Sequence, residues 1–371
     1  MSVERQILRG HKPTIVPAHR VKDIDQLRAL LQSAVMLEHT TIPPYLCALY
    51  SIKEGTNREA VEVILSVVME EMLHMVLAAN VLTAIGGKPR INQKQFVPDY
   101  PVDLSLLKLT VNLSRFSKDA MDSFIEIERP DDIVTSQPPV GCCHFSELNS
   151  IAQFYELIET GLTELEKAAQ SDDATIFTGN TNHQIGPEHY YGGGGAAIRV
   201  TDLDSALSAL NEVIGQGEGI PHSIWESPDP NPGRADFLEV AHFYRFIEIR
   251  KEQQYRGDET LPPRNGKYPE PKGQKVHVCW DDVYPMRTNP KMAHLPCGSE
   301  ALEKATAFNR AYMNLLDNLH DAMNGRPGLM MSSVGLMYDL KYQAIELMKF
   351  PMPGSNETVG PSFEYLAPER T

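Results

Sequence analysis

Residues 68–79 read VMEEMLHMVLAA, and this stretch decides what kind of protein the chain forms. Val61, Ile64, Leu65, Val68, Met72, Met75 and Ala79 recur at three- and four-residue spacing, which predicts a helix over 57–86. Gly86 and Gly87 supply its C-terminal stop. On the apolar stripe sit Glu71 and His74, three residues apart and so on one face. Glu70 points about 100° away. A carboxylate on an inward face needs a counter-charge or it takes up a proton.

The same pattern recurs later. A helix expected over 234–254 carries Glu239-Val-Ala-His242, with Phe243 and Phe246 on the same side. A Glu-x-x-His pair turned inward on each of two helices is the arrangement of carboxylate-bridged dinuclear metal sites in four-helix bundles. Such a site takes one further glutamate from each of two other helices. The first is Glu38. In MLEHTTIPPYLCALY, residues 36–50, it lands on the stripe of Leu27, Leu30, Leu31, Ala34 and Leu37 in a helix expected over 22–52. Pro43 and Pro44 cannot donate to the carbonyls of His39 and Thr40. The expected result is a break that widens the bundle beside the metals, with Tyr45 and Tyr50 as candidate pocket walls. The second single glutamate is Glu218, which continues the stripe of Leu203, Leu207, Leu210 and Ile214 on a helix over 202–217. Glu159, on a helix over 147–170, is the alternative, about 80° off its apolar centre. The candidate set for two ions is Glu38, Glu71, His74, Glu218, Glu239 and His242. Histidine and carboxylate suit iron, manganese or zinc, and iron is placed first.

The rest of the chain is less regular. Residues 88–140 read as loop with short strands such as 107–113. In 171–201, Tyr190-Tyr191 precedes four glycines. They are not GxGxxG and lack a following Lys-Ser/Thr, so they read as a flexible turn rather than a phosphate loop. Residues 255–298 form a proline-rich excursion, and helices are expected over 299–324 and 329–349. The fold class is mainly α: a four-helix bundle with long irregular insertions and additional C-terminal helices. Two parts are expected: a metal-binding bundle over 1–254 and a C-terminal extension over 255–371 packed on it.

Composition excludes several function classes. The 371 residues are 42% hydrophobic and 22% charged, ordinary for a globular chain with a sizeable core. A formal net charge of −15 argues against nucleic acid or an anionic membrane surface as partner. No run approaches the roughly 20 apolar residues of a membrane span. The opening MSVERQILRGHKPTIVPAHR lacks a secretory apolar core, so the cytoplasm is the expected location. Cys47, Cys142, Cys143, Cys279 and Cys297 form no CxxC pair and no disulfide framework.

LEHTTIPPYLCALYSI (37–52) and EEMLHMVLAANVLTAIGGKP (70–89) resemble the ferritin-like domain of the iminophenylpyruvate dimer synthase family. That group includes the imine-coupling enzymes of violacein and rebeccamycin assembly. YPVDLSL, FIEIERP, SIAQFYELIETGL, ALNEVIGQGEG and LEVAHFYRFIEI extend the resemblance over about residues 22–254. FNRAYMNLLDNL and GPSFEYL are similar to parts of longer members. The resemblance supports Glu38, Glu71, His74, Glu239 and His242, and it raises Glu218 above Glu159. The ligand set points to a dinuclear, iron-first oxidase or oxygenase that acts with dioxygen on a small molecule, and the resemblance implies an amino-acid-derived substrate in natural-product biosynthesis. A sizeable closed cavity is then expected next to Glu38 and Glu218. One alternative is imine coupling, with the metal as Lewis acid or structural element. Another is a metal-binding or ferroxidase protein, which the long insertions disfavour. A homo-oligomer is compatible with each.

Overall fold

The structure, a computed structural model, describes residues 21–104, 108–130, 151–219, 224–225, 240–256 and 268–368. Helix α1 spans Ile24–Ser51 and α2 spans Arg58–Ala84. Asp23 opens α1 by accepting the Gln26 N–H at 2.8 Å, as an N-cap aspartate does. Beyond α2 the backbone of Gly86 turns at φ +75°, which suits glycine. From Leu30 to Ser51 every residue of α1 is buried. Tertiary packing on all sides, not propensity, therefore holds this helix.

The expected break at Pro43-Pro44 does not occur: both prolines lie inside the continuous α1. Pro44 still leaves the Thr40 carbonyl without its helical donor. The Tyr100 hydroxyl donates to that carbonyl at 2.7 Å instead. A long-range side chain thus replaces the missing backbone bond, which a reading of local sequence cannot foresee.

Strands β1 (Val102–Leu104) and β2 (Leu109–Val111) form a small antiparallel ribbon, with Val102 opposite Val111. Helix α3 (Lys118–Ile127) follows, in a segment expected to lack helices. Its Ser117 cap accepts from the Ala120 N–H at 3.1 Å, and Ala120, Met121, Phe124 and Ile127 form its buried face. Helices α4 (Ile151–Gln170) and α5 (Leu203–Glu218) complete a ring. In it α1 packs on α2, α2 on α5, α5 on α4, and α4 on α1. That ring is the four-helix bundle.

Helix α6 (His242–Lys251) packs on α2, α3 and α5. It is shorter than expected. Ala241 is its N-cap, and Val240 sits in an antiparallel bridge with Trp225. Helices α7 (Glu300–Met323) and α8 (Met330–Met348) form a pair beside α1 and α2. No helix among the described residues is long and apolar enough to cross a membrane. Cys47 is free and buried, and Cys279 and Cys297 are free and exposed. Cys142 and Cys143 lie outside the described residues.

Candidate metal centre

Four of the six expected ligands converge. Glu38 comes from α1, Glu71 and His74 from one face of α2, and His242 from the first position of α6. Glu38, Glu71 and His74 form one group whose ligand atoms lie within 4.8 Å of one another. Glu71, Glu128 and His242 form a second. Glu71 belongs to both: its Oε1 lies 3.6 Å from His74 Nδ1 and 3.0 Å from His242 Nδ1. Glu38 Oε2 is 3.4 Å from His74 Nδ1, and Glu128 Oε2 is 3.6 Å from His242 Nδ1. The two imidazole centroids are 5.5 Å apart. All five side chains are at most 4% exposed.

Glu128 was missed, and the reason is plain. It caps the C-terminus of α3, the helix absent from the sequence reading. The signal was there: Ser117 followed by apolar residues at 120, 121, 124 and 127 is a capped helical stripe, and Glu128 falls four residues after Phe124. Glu218 is the last residue of α5, and its side chain is outside what the structure describes. Glu239 also lies outside the described residues. Helix α6 begins at His242. Glu159 is only half-buried, and its carboxyl is pushed up by burial and by Glu156. It joins neither group.

The two imidazoles are held in one orientation by different means. Gln216 on α5 points its amide nitrogen at the Gly194 carbonyl (3.0 Å) and the Glu212 carboxylate (3.1 Å). Its oxygen therefore faces His74 Nε2 at 2.8 Å, so His74 Nε2 is the N–H donor. At the other ring, His242 Nε2 lies 2.7 Å from Glu70 Oε2, which can only accept. Glu70 is in turn fixed by Arg245, whose Nη1 donates to Glu70 Oε1 at 2.9 Å. Both Nδ1 atoms then face the carboxylates. In a neutral ring each carries a lone pair toward anionic oxygen, which is repulsive unless a cation lies between. His242 Nδ1 is buried without a hydrogen-bond partner. The donor set therefore fits metal ions, with outer partners fixing tautomer and ring angle as in metal-bound histidines generally.

Glu70 departs from expectation: it is buried and supports His242, although ideal geometry turned it away from the stripe. Leu65, placed on the stripe, is 44% exposed. The glycine run also has a definite job. A Cβ on Gly194 would come within 2.8 Å of the Glu70 backbone nitrogen, and Gly194 sits at φ +75°. Glycine lets this loop lie against α2 and present the carbonyl that orients Gln216.

Charge accounting leads the same way. Glu38, Glu70, Glu71 and Glu128 are buried, against one buried cation among the described residues, Arg245. With both imidazoles neutral, these groups carry four negative charges and one positive. Without metal, protons compensate. Burial raises Glu38 and Glu128, with Glu71's charge adding to both. Burial also pushes Glu71 up, but the neighbouring His242 and His74 outweigh it and hold its carboxyl below the ordinary range. Burial disfavours a charged His74, yet Glu38 and Glu71 raise it to about 10. His242 is likewise raised, by Glu128, Glu70 and Glu71 against the cost of burial.

The sequence profile of the Ferritin-like family matches residues 31–251. The chain belongs to the Ferritin-like family. Its fold is also similar to the crystal structure of a ferritin-like protein from Caulobacter vibrioides. That match has a TM-score of 0.59 at 21% identity and covers 92% of this chain and 99% of the other. The sequence is 24% identical over 331 residues to dichlorochromopyrrolate synthase of Lentzea aerocolonigenes, covering 81% of this chain and 29% of that protein. The chain thus spans less than a third of the length of this curated relative.

Within this Ferritin-like bundle three hydroxyls steady the carboxylates. Tyr155 on α4 donates to Glu38 Oε1 at 2.5 Å, and Tyr45 donates to Glu128 Oε1. Tyr45 is therefore a support for Glu128 rather than a pocket wall. Thr41 donates to Glu71 Oε2 at 2.6 Å. The role of Gln216 is testable. Gln216→Leu removes the acceptor at His74 Nε2 and frees the tautomer. Metal affinity is expected to fall by about 10- to 100-fold, read by competition with a chelator, with helix content unchanged by circular dichroism.

Proposed function

We propose that the chain is a dinuclear-metal oxidase or oxygenase, iron first, that acts with dioxygen on a small amino-acid-derived substrate. The observation that carries this reading is the pair of inward Nδ1 atoms either side of one shared carboxylate, Glu71. Glu38, Glu71 and His74 would hold one ion, and Glu71, Glu128 and His242 the other. Two reduced irons supply electrons for dioxygen chemistry when bound. Tyr155 and Tyr45 hold the outer carboxylates in place, and the buried setting excludes bulk water. Glu218 stays in the ligand set as a proposal. It ends the helix that carries Gln216, and a fifth carboxylate would balance two divalent ions against Arg245. In the proposed two-part chain, residues 255–371 serve as the extension to the bundle.

The test is metal content after purification without added metal, followed by oxygen uptake with candidate amino and keto acids. Two irons per chain and substrate-dependent uptake support the reading. Uptake that is absent with every substrate while two irons are present removes the oxidative part. A second reading, imine coupling with the metal as Lewis acid or structural element, draws on the relative's name, a synthase. It predicts turnover under argon with zinc in place of iron.

The histidine shifts give a pH dependence. In metal-free protein His74 rises from 6.5 to about 10. Its contribution to stability is fully present below pH 6.5 and is lost as pH rises through about 10. A bound divalent ion displaces that proton. Apparent metal affinity is therefore expected to rise about tenfold per pH unit for each proton released, between pH 6.5 and about 10. Titrations at several pH values, with proton release measured in weak buffer, check this. A flat profile across that window contradicts it.

A further inference from the structure

One cavity has a described wall that includes His39 but not Glu38. This cavity opens between α1, α2 and the α7–α8 pair. Its wall includes His39, Ile42 and Pro43 from α1 and Met72 and Met75 from α2. On both helices these residues sit roughly 100° round from the metal-facing ones. The α1–α2 pair therefore has one face for metals and another for this cavity.

The wall chemistry is specific. No Asp, Glu, Lys or Arg lines the cavity among the described residues. Four tyrosines and four methionines do, together with leucines, Val76 and Phe363. Aromatic and thioether walls favour planar, apolar guests and adapt to their outline. One polar group stands out. His39 is 3% exposed, and its Nε2 pairs with the Tyr312 hydroxyl at 2.8 Å. Its Nδ1 is buried with no partner. A buried polar atom without a partner costs about 1–3 kcal/mol, a cost that a polar group on a guest in the cavity would relieve.

We propose that this cavity is a second small-molecule site, separate from the metal centre, for an uncharged aromatic molecule bearing one hydroxyl that pairs with His39. A hydroxyl can donate or accept, so it suits either tautomer of His39. With no Lys or Arg among the described wall residues to pair a carboxylate, an uncharged guest is favoured, which separates this ligand class from amino-acid-derived substrates of the metal centre.

The test uses 2-naphthol, 2-methylnaphthalene and 2-naphthoate as probes of the full chain, followed by fluorescence and calorimetry. The two neutral compounds are expected to bind saturably and the anion not to bind. His39→Phe is expected to weaken 2-naphthol about five- to tenfold, the loss of one hydrogen bond, and to leave 2-methylnaphthalene unchanged. Met337→Trp, at a half-buried wall position, is expected to block both neutral probes while metal content stays as in wild type. Absence of saturable binding overturns the proposal. So does binding that survives Met337→Trp, or equal effects of His39→Phe on both neutral probes. Metal content is read separately, so failure here is distinguishable from failure of the dinuclear reading.

Discussion

Glu71→Gln is expected to abolish binding at both halves of the proposed dinuclear centre, whereas Glu38→Gln and Glu128→Gln each abolish it at one. Glu71 is the only described residue in both ligand groups, with one oxygen facing both Nδ1 atoms. Glutamine keeps the volume of the side chain, and its oxygen can still accept from Thr41, so the fold should hold. The substitution removes the shared negative charge and offers no second anionic oxygen. The loss should exceed the 10- to 100-fold of an outer partner such as Gln216. Metal analysis after dialysis reads the effect, with circular dichroism as the control. If Glu71→Gln keeps two ions per chain while folded, the shared-carboxylate arrangement is wrong.

The contrast between Glu71 and Glu128 shows where sequence reading succeeds and where it stops. Glu71, His74 and Glu38 lie on long helices, where the 3.6-residue period fixes which side chains share a face. Those helices were legible nearly to the residue: 22–52 against Ile24–Ser51, and 57–86 against Arg58–Ala84. Glu128 sits at the end of a ten-residue helix inside a proline-rich stretch, where composition masks the period. Glu70 escaped for another reason. Its angle was correct for α2 alone, but α6 covers that side of α2 with His242 and Arg245, so two faces of one helix are buried. A helix buried all round has no single stripe to read. The Pro43-Pro44 pair failed in the same way. The donor that compensates it, Tyr100, is 60 residues from the carbonyl it meets. Local rules state which groups are left unpaired, and only tertiary structure states what pairs them.

Arg245→Met is expected to destabilise the protein by about 3–5 kcal/mol, because it leaves the Glu70 carboxylate buried without its cation. Arg245 is fully buried. Its Nε donates to the Val240 carbonyl at 2.6 Å, and its Nη1 donates to Ser66 Oγ and Glu70 Oε1, each at 2.9 Å. It therefore ties the start of α6 to α2 and fixes the acceptor of His242. These two roles separate in double variants. In Glu70→Gln with Arg245→Met the uncompensated charge is gone and an amide oxygen can still receive the His242 N–H. Most of the lost stability and of the metal affinity should return. In Glu70→Met with Arg245→Met the charge is also gone, but His242 Nε2 has no acceptor. Stability should recover except for about 1–3 kcal/mol for that orphaned donor, while metal affinity stays about 10- to 100-fold low. Chemical denaturation and chelator competition on the same three proteins read the two quantities. If metal affinity instead tracks stability across all three, Arg245 and Glu70 hold the fold together and do not orient the ligand.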